Sequence, residues 1–290
     1  MTGRRLDAEL VARGLARSRG QAKDLVASGV VRLGGQRATK TSRQVDDATP
    51  ITVEADPEPW VGRAAAKLLA ALQHWGPRGA LRGDEGGIRH LDPHSKRCLD
   101  VGASTGGFTQ VLLAHEAAHV TALDVGRGQL VAALAADPRV RDLPGTNIRD
   151  VAPGDLDALF DIVVADLSFI SLRIVLPMLM AQLTDDGDLV VLVKPQFEVG
   201  RGRLGQAGVV RSAHEHRRVL RDLRDRAAGL GLTLLDVVPS PITGGHGNRE
   251  FLCWLVRATA ASRPVGSPVD DGMLDEIVGQ AIPPSTEGVT

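Results

Sequence analysis

Apolar residues at the start of the chain recur at helical spacing, with Leu6, Leu10, Val11 and Leu15 falling on one stripe. Ser18 is placed to cap a second short helix running through Leu25 and Val26 to Gly29. Val30, Val31 and Leu33 then lead into the tight-turn pair Gly34-Gly35, and Val45, Ile51 and Val53 mark further small strands. Asp56-Pro57-Glu58-Pro59 interrupts every regular pattern, so a domain boundary is expected there, with Trp60-Val61 anchoring the junction. An Ala/Leu-rich helix is predicted over 63–72. The stretch 76–95 that follows is rich in glycine and charge and reads as a mobile loop.

At Cys98 the pattern changes. Apolar runs at 98–101, 120–123, 162–165, 189–193, 232–238 and 251–256 read as strands, with helices between them that include 174–183 and 214–229. Such alternation predicts an α/β domain with a mostly parallel sheet and helices on both faces. After Thr259 the chain turns rich in Pro, Ser and Gly, with a short helix predicted over 273–282 and no Lys or Arg from Pro264 onward. The expected organisation is a small α+β domain over 1–58, a larger α/β domain over 59–260 and an acidic tail over 261–290.

Composition narrows the class. Hydrophobic residues make up 43% of the 290-residue chain, yet no apolar run approaches the roughly 18 residues of a membrane span. Residues 1–10 lack the apolar core of a signal peptide, so a cytoplasmic protein without membrane contact is expected. Cys98 and Cys253 each lie inside an apolar run and are expected to be buried thiols.

The net charge of −1 conceals an asymmetry: ten Lys and Arg against Asp7, Glu9 and Asp24 give residues 1–45 a charge of +7, which leaves −8 on the rest. A small cationic module suits a polyanion, because phosphate contacts supply affinity regardless of sequence. The bland alternative is a solvated charged face. Leu15-Ala16-Arg17-Ser18-Arg19 before Ala22, and Ser28-Gly29-Val30-Val31-Arg32-Leu33 with Gly35 following, resemble the alpha-L RNA-binding domain shared by a small-subunit ribosomal protein, tyrosyl-tRNA synthetases and many pseudouridine synthases. The resemblance implies RNA gripped by shape and charge, with Arg4, Arg5, Arg17, Arg19, Lys23 and Arg32 as candidate contacts.

Asp100-Val101-Gly102-Ala103-Ser104-Thr105-Gly106-Gly107-Phe108-Thr109 follows the first strand of the larger domain and opens a helix. Glycine allows a sharp turn and a close approach to a ligand, so this is a candidate cofactor loop. The dinucleotide fingerprint G-x-G-x-x-G fails, since Gly102 is followed by Gly106 and Gly107. The spacing resembles instead the first motif of class I methyltransferases. That likeness implies S-adenosylmethionine, with the loop beneath its methionine part, Asp124 accepting hydrogen bonds from its ribose and Asp150 meeting the adenine edge.

Asp166-Leu167-Ser168-Phe169-Ile170-Ser171, Val193-Lys194-Pro195-Gln196-Phe197-Glu198 and Gly247-Asn248-Arg249-Glu250-Phe251 resemble the TlyA, or haemolysin A, family of ribosomal RNA methyltransferases. The order Lys67, Asp166, Lys194, Glu250 is similar to the catalytic tetrad of FtsJ-like 2′-O-methyltransferases. The resemblance implies a class I Rossmann-like methyltransferase domain with a seven-stranded sheet, acting on a cytidine 2′-hydroxyl of ribosomal RNA in folded small and large subunits. No obligate protein partner is expected. A ribose hydroxyl is a poor nucleophile, and a neutral lysine amine can take its proton. Lys194 is the candidate base or orienting group, Lys67 tunes the site and steers RNA, Asp166 orients Lys194 and faces the methyl group, and Glu250 holds the lysines and the ribose. The chain has 29 Arg and only five Lys, so lysine at both positions points to a need for an amine. Asp166-Leu167-Ser168-Phe169 also lacks the Asn/Asp-Pro-Pro-aromatic pattern of exocyclic-amine methyltransferases.

Two departures from the family stand out. Gly62-Arg63-Ala64-Ala65-Ala66-Lys67-Leu68 replaces the usual Ser-Arg-Gly-x-His-Lys-Leu, and the stretch 76–95 is longer than the family's. His214-Glu215-His216 is expected to be a solvated helix surface, because side chains two apart on a helix diverge, and no metal site is expected. The basic segment from Gly200 to Gly205 reads either as an RNA clamp or as a plain solvent loop. Three rival functions are a non-catalytic RNA-binding assembly factor, a pore-forming haemolysin and a small-molecule methyltransferase.

Overall fold

Apolar residues spaced three and four apart on two short helices meet one another near the start of the chain. The computed structural model describes all residues except 1–2, 17–18, 54–59, 78–88, 206–207, 245–246, 259–268 and 283–290. Arg17, the Ser18 cap, the breaker segment 56–59 and most of the glycine-rich loop therefore lie outside the described residues. Contacts divide the chain into two units, Met1–Pro59 and Trp60–Thr290.

The first unit runs β1 (Arg4–Arg5), α1 (Leu6–Ala12), α2 (Arg19–Ser28), β2 (Val31–Leu33), β3 (Gln36–Arg37), β4 (Gln44–Val45) and β5 (Ile51–Val53). Strand β2 pairs antiparallel with both β3 and β5, and β1 pairs antiparallel with β4. Leu6 and Leu10 of α1, Ala22 and Val26 of α2, Val31, Leu33, Val45 and Ile51 make one small core.

The second unit runs α3 (Ala65–Trp75), β6 (Arg97–Val101), α4 (Gly107–Ala114), β7 (His119–Asp124), α5 (Ala132–Ala135), β8 (Val140–Pro144), β9 (Phe160–Ala165), α6 (Leu172–Ala181), β10 (Leu183–Val193), α7 (Pro195–Glu198), α8 (Ala213–Ala228), β11 (Leu232–Pro239), β12 (Phe251–Arg257) and α9 (Asp271–Ala281). Its seven strands lie in the order β11-β12-β10-β9-β6-β7-β8, and β12 alone runs antiparallel to its neighbours. This is the mostly parallel seven-stranded sheet that the resemblance implied. From β6 the chain winds outward through β7 and β8, then returns to β9 and winds the other way. The strand ends of β6 and β9 therefore frame a topological switch point, where open α/β sheets take ligands.

Two apolar clusters cover the sheet. One joins strand residues to Val175, Leu176 and Leu179 of α6, Val219, Leu220 and Leu223 of α8, and Leu274 and Val278 of α9. The other joins them to Leu68, Ala71, Leu72 and Trp75 of α3 and to Phe108, Val111 and Leu112 of α4, with Trp60 and Val61 packed against it. Cys98 and Cys253 are buried free thiols, as expected, and burial pushes both thiol pKa values up.

Several expectations need correcting. The apolar pattern missed β8, an edge strand whose residues are nowhere fully buried. Helix α6 begins earlier than expected, because the Ser171 side chain accepts from Arg173 N and caps it, and Leu183 belongs to β10. Part of the expected tail is core: α9 buries Leu274, Val278 and Ala281. His216 is not on a solvated surface. It shares the buried face of α8 with Val219, Leu220, Leu223 and Ala227, bonds through Nδ1 to Ser212 O at 2.8 Å and meets the Phe251 ring edge-on. Burial lowers its pKa, so it is a neutral core histidine. No group of side chains among the described residues is arranged to hold a metal ion.

Candidate active site

The register of the sheet assembles the site. Val193 lies opposite Phe251 across the antiparallel β10–β12 pair, so the next residue of one strand and the preceding residue of the other, Lys194 and Glu250, emerge side by side. Val101 pairs with Ala165 across the parallel β6–β9 pair, and Asp166 N still donates to Val101 O at 3.1 Å. Asp166 is thereby fixed one residue beyond its strand. Lys67 arrives from the first turn of α3, whose far end is pinned by Trp75 Nε1 donating to buried Asp236 at 2.9 Å.

These four predicted residues converge. Lys67 Nζ lies 2.8 Å from Glu250 Oε2 and 3.2 Å from Asp166 Oδ2, while Lys194 Nζ lies 2.7 Å from Asp166 Oδ1. Asp166 thus bridges two lysines. Lys67, Lys194 and Glu250 are only 5%, 8% and 3% exposed, and buried charges of this kind persist because each faces an opposite charge. Burial alone would raise the Asp166 pKa, but Lys67 and Lys194 overcome that and hold it below the usual carboxylate range. It stays ionised at neutral pH.

Beside the tetrad lies the glycine loop. Gly102 has φ of 87°, and a Cβ there would stand 2.6 Å from Asp166 O, so only glycine lets the β6 loop pass so close to the end of β9. Gly106, at φ of 97°, forms the left-handed entry to α4. Asp124, ending β7, ties the loop down: Ser104 N and Gly126 N donate to its two oxygens at 2.8 and 2.7 Å. Each carboxylate oxygen keeps a second lone pair, so the group can also accept from a ligand hydroxyl. Asp100 is fully buried, takes the Thr109 hydroxyl on Oδ2 at 2.6 Å and leaves Oδ1 without a hydrogen-bond partner. Burial raises its pKa to about 7.

Not every predicted cofactor residue offers its side chain. Phe108 and Thr109 point into the core, so they support the loop from behind and can offer only backbone groups of the first turn of α4, as can Gly107. Asp150 is exposed, at the end of the 3-10 turn that follows β8. In the first unit, Arg4 and Arg5 form β1, Arg19 and Lys23 lie on α2, and half-buried Arg32 lies on β2.

Sequence reasoning missed three residues. Ser168 Oγ accepts from Lys194 Nζ at 2.8 Å. Phe169 is 90% exposed at a φ of 65°, with its ring 5.2 Å from that of Phe197. A bulky residue held in the left-handed region and in water is costly on both counts. Glu198 accepts from the Ser171 hydroxyl at 2.6 Å and from Leu172 N at 2.8 Å, stapling the loop after β9 to the loop after β10. All three sit inside motifs that sequence inspection had singled out, but only coordinates separate their roles.

Residues 60–257 match the FtsJ-like methyltransferase family, and residues 4–49 match the S4 domain. The chain is 48% identical over 252 residues to the 16S/23S rRNA (cytidine-2′-O)-methyltransferase TlyA of Mycobacterium tuberculosis, across 87% of this chain and 89% of that protein. It is 33% identical to Hemolysin A of Brachyspira hyodysenteriae, across 87% of this chain and 99% of that one. Among solved structures, a Streptococcus thermophilus protein described as a hemolysin superposes with a TM-score of 0.72 at 37% identity, covering 97% of this chain and 96% of that one. The matched span contains the whole seven-stranded sheet and all four members of the buried tetrad, and the chain belongs to the TlyA group of FtsJ-like methyltransferases.

Proposed function

We propose that this methyltransferase modifies the 2′-hydroxyl of a cytidine in ribosomal RNA, within folded small and large subunits in the cytoplasm, using S-adenosylmethionine and no obligate protein partner. The observation that carries this reading is the Lys67-Asp166-Lys194-Glu250 tetrad packed beside a glycine loop at the switch point. The relatives named as cytidine-2′-O-methyltransferases supply the base and the ribosomal substrate.

The residues present fit the cofactor. The close approach at Gly102 leaves room that a Cβ would fill, and Asp124 presents a carboxylate suited to a diol. Asp100 holds a buried oxygen still lacking a partner, and Asp150 would meet the adenine edge from the rim. When bound, S-adenosylmethionine would supply an electrophilic methyl group.

What remains for the protein is to align the hydroxyl and remove its proton. Lys194 Nζ touches Asp166 Oδ1 and Ser168 Oγ, which commits two of an amine's directions and leaves a third for the sugar. Asp166, kept ionised by its two lysines, orients Lys194 and is too weak a base to take the proton itself. Lys194 in its neutral form accepts that proton, while Lys67 and Glu250 hold the other side of the carboxylate in place. Phe169 offers an exposed ring on which the base of the target nucleotide can stack. In the first unit, exposed arginines meet phosphates.

The test has two parts. Calorimetry on the purified chain should detect S-adenosylmethionine binding, and mapping of ribose methylation in ribosomal RNA should lose a 2′-O-methylcytidine when the gene is deleted. RNA binding with neither result would leave a non-catalytic assembly factor. Pore formation draws no support from the helices, none of which, among the described residues, is long and apolar enough to cross a membrane.

A further inference from the structure

The first unit buries two acids beneath the surface that its positive charge marks out for RNA. Asp7 is 7% exposed and Glu9 is 3% exposed, both on α1. They act differently. Glu9 accepts from Arg4, whose side chain is 58% exposed, at 2.9 Å and from Arg13 Nε at 2.8 Å; the Arg13 guanidinium also donates to Thr49 O and Asp46 O at 2.8 and 2.9 Å, so Glu9 holds one solvent-facing arginine and one that is spent on bracing the fold. Asp7 holds arginines that stay in solvent. Its Oδ1 accepts from Arg5 Nε at 3.1 Å and Ala8 N at 2.9 Å, and its Oδ2 accepts from Arg5 and Arg19, each at 3.0 Å. The side chains of Arg5 and Arg19 remain 45% and 61% exposed.

We propose that Asp7 is a positioning residue for RNA, whose buried carboxylate holds the guanidiniums of Arg5 and Arg19 side by side as one phosphate-gripping fork. The proposal rests on the reading that this unit binds RNA.

Two arginines that share one carboxylate oxygen cannot drift apart, although they come from different elements, β1 and α2. A guanidinium has five N–H donors in a rigid plane. Arg5 gives two to Asp7 and Arg19 gives one, so most of the donors on each remain to meet phosphate oxygens. Loose arginines would have to be ordered when RNA binds, and Asp7 orders these two beforehand. Its carboxylate is saturated by four hydrogen bonds, and chiefly the Arg5 hydrogen bonds hold its pKa down at about 2, so it is an anion at neutral pH.

The proposal reverses the sign expected from charge alone. Asp7 subtracts one charge from a cationic surface, so on charge counting Asp7→Asn would tighten RNA binding and steepen its salt dependence. If Asp7 positions the fork, Asp7→Asn weakens binding.

The experiment uses the full-length chain and purified, salt-washed ribosomal subunits, with affinity measured across a salt series. For Asp7→Asn we expect about tenfold weaker binding and a salt slope shallower by roughly one phosphate contact. Arg5→Lys and Arg19→Lys, which keep the charge but lose the fork, should weaken binding several-fold each. Equal or tighter binding by Asp7→Asn, with a melting curve showing that it is folded, overturns the proposal. If Asp7→Asn does not fold, the two lysine variants decide, and unchanged binding by both overturns it. Wild-type protein that binds subunits without salt dependence would sink the RNA reading itself, a result separate from a folded Asp7→Asn that binds more tightly.

Discussion

In the first unit, Asp7 and Glu9 are buried and three of the arginines they hold, Arg4, Arg5 and Arg19, reach water, whereas in the second both signs of charge, Lys67 and Lys194 with Asp166 and Glu250, lie inside. The pairing chemistry is the same and the depth differs. At the surface a guanidinium keeps its charge and its hydration, which suits contact with phosphate. In the interior an amine is cut off from water and held by carboxylates in one place, which suits the movement of a single proton. On the proposed reading arginine fills the first role and lysine the second, in a chain that otherwise strongly prefers arginine.

The largest effect should come from exchanging these roles. Lys194→Arg keeps the positive charge beside Asp166 but supplies no group able to accept a proton near neutral pH, so turnover should fall by roughly 10²–10⁴-fold. Affinity for S-adenosylmethionine, measured by calorimetry, should change by no more than a few-fold. An arginine variant that keeps a tenth of wild-type turnover would show that Lys194 serves only as a charge.

Asp166→Asn removes the anion shared by two buried lysines. Leaving buried charge unpaired costs about 3–5 kcal/mol, so the melting temperature should drop along with turnover. The pH dependence has a definite sign. The folded Asp166 pKa is depressed, so its stabilisation is present above the unfolded carboxylate value and is lost as pH falls through the folded one. Thermal melts in acid should show the wild-type advantage over Asp166→Asn shrinking as pH drops. An advantage that grows would contradict the ion-pair geometry.

Phe169→Ala separates substrate from cofactor. Its ring is almost wholly in solvent, so removal should leave the melting temperature and cofactor affinity unchanged. Stacking on a base is worth about 1–3 kcal/mol, so kcat/KM for ribosomal RNA should fall by roughly 10- to 100-fold. Unaltered kinetics would leave the exposed, left-handed ring without a role in the reaction.

Much of this arrangement was legible in the residues. The strands that later formed the centre of the sheet announced themselves as apolar runs, because a parallel strand covered on both faces has no polar side to present. The four tetrad residues could be named because each lies inside or beside a distinctive motif. What stayed hidden depends on neighbours distant in sequence. Strand β8 reads Val-Arg-Asp-Leu-Pro, and half-buried at the sheet edge it carries no apolar run. His216 looked like surface beside His214 and Glu215, yet the helical repeat turns it toward Phe251. Arg5 and Arg13 are the same residue type in the same basic arm, and only the placement of Asp7, Glu9 and the 46–49 carbonyls makes one a candidate contact and the other a brace.

The smallest predicted effect concerns two neighbouring carboxylates, Asp100, which is fully buried, and Asp166, whose side chain is 12% exposed. Burial penalises both charges, but Asp166 has cations in reach, while Asp100 meets a hydroxyl on one oxygen and no hydrogen-bond partner on the other. Burial accordingly raises the Asp100 pKa to about 7, so between the unfolded value near 4 and pH 7 the folded chain keeps a proton that the unfolded chain has released. A raised value contributes stability in acid that is lost as pH rises through that window, opposite in sign to Asp166. Asparagine does not titrate, so Asp100→Asn should gain on wild type as pH rises from 5 to 8, reaching a difference on the order of 2 kcal/mol, or several degrees in melting temperature. Parallel melting curves for the two proteins across that range would show that Asp100 is not held as a strained acid. If the curves diverge as expected and the asparagine variant also binds S-adenosylmethionine more weakly, then the chain sacrifices stability at the end of β6 to keep an acceptor there for its cofactor, as functional sites commonly do.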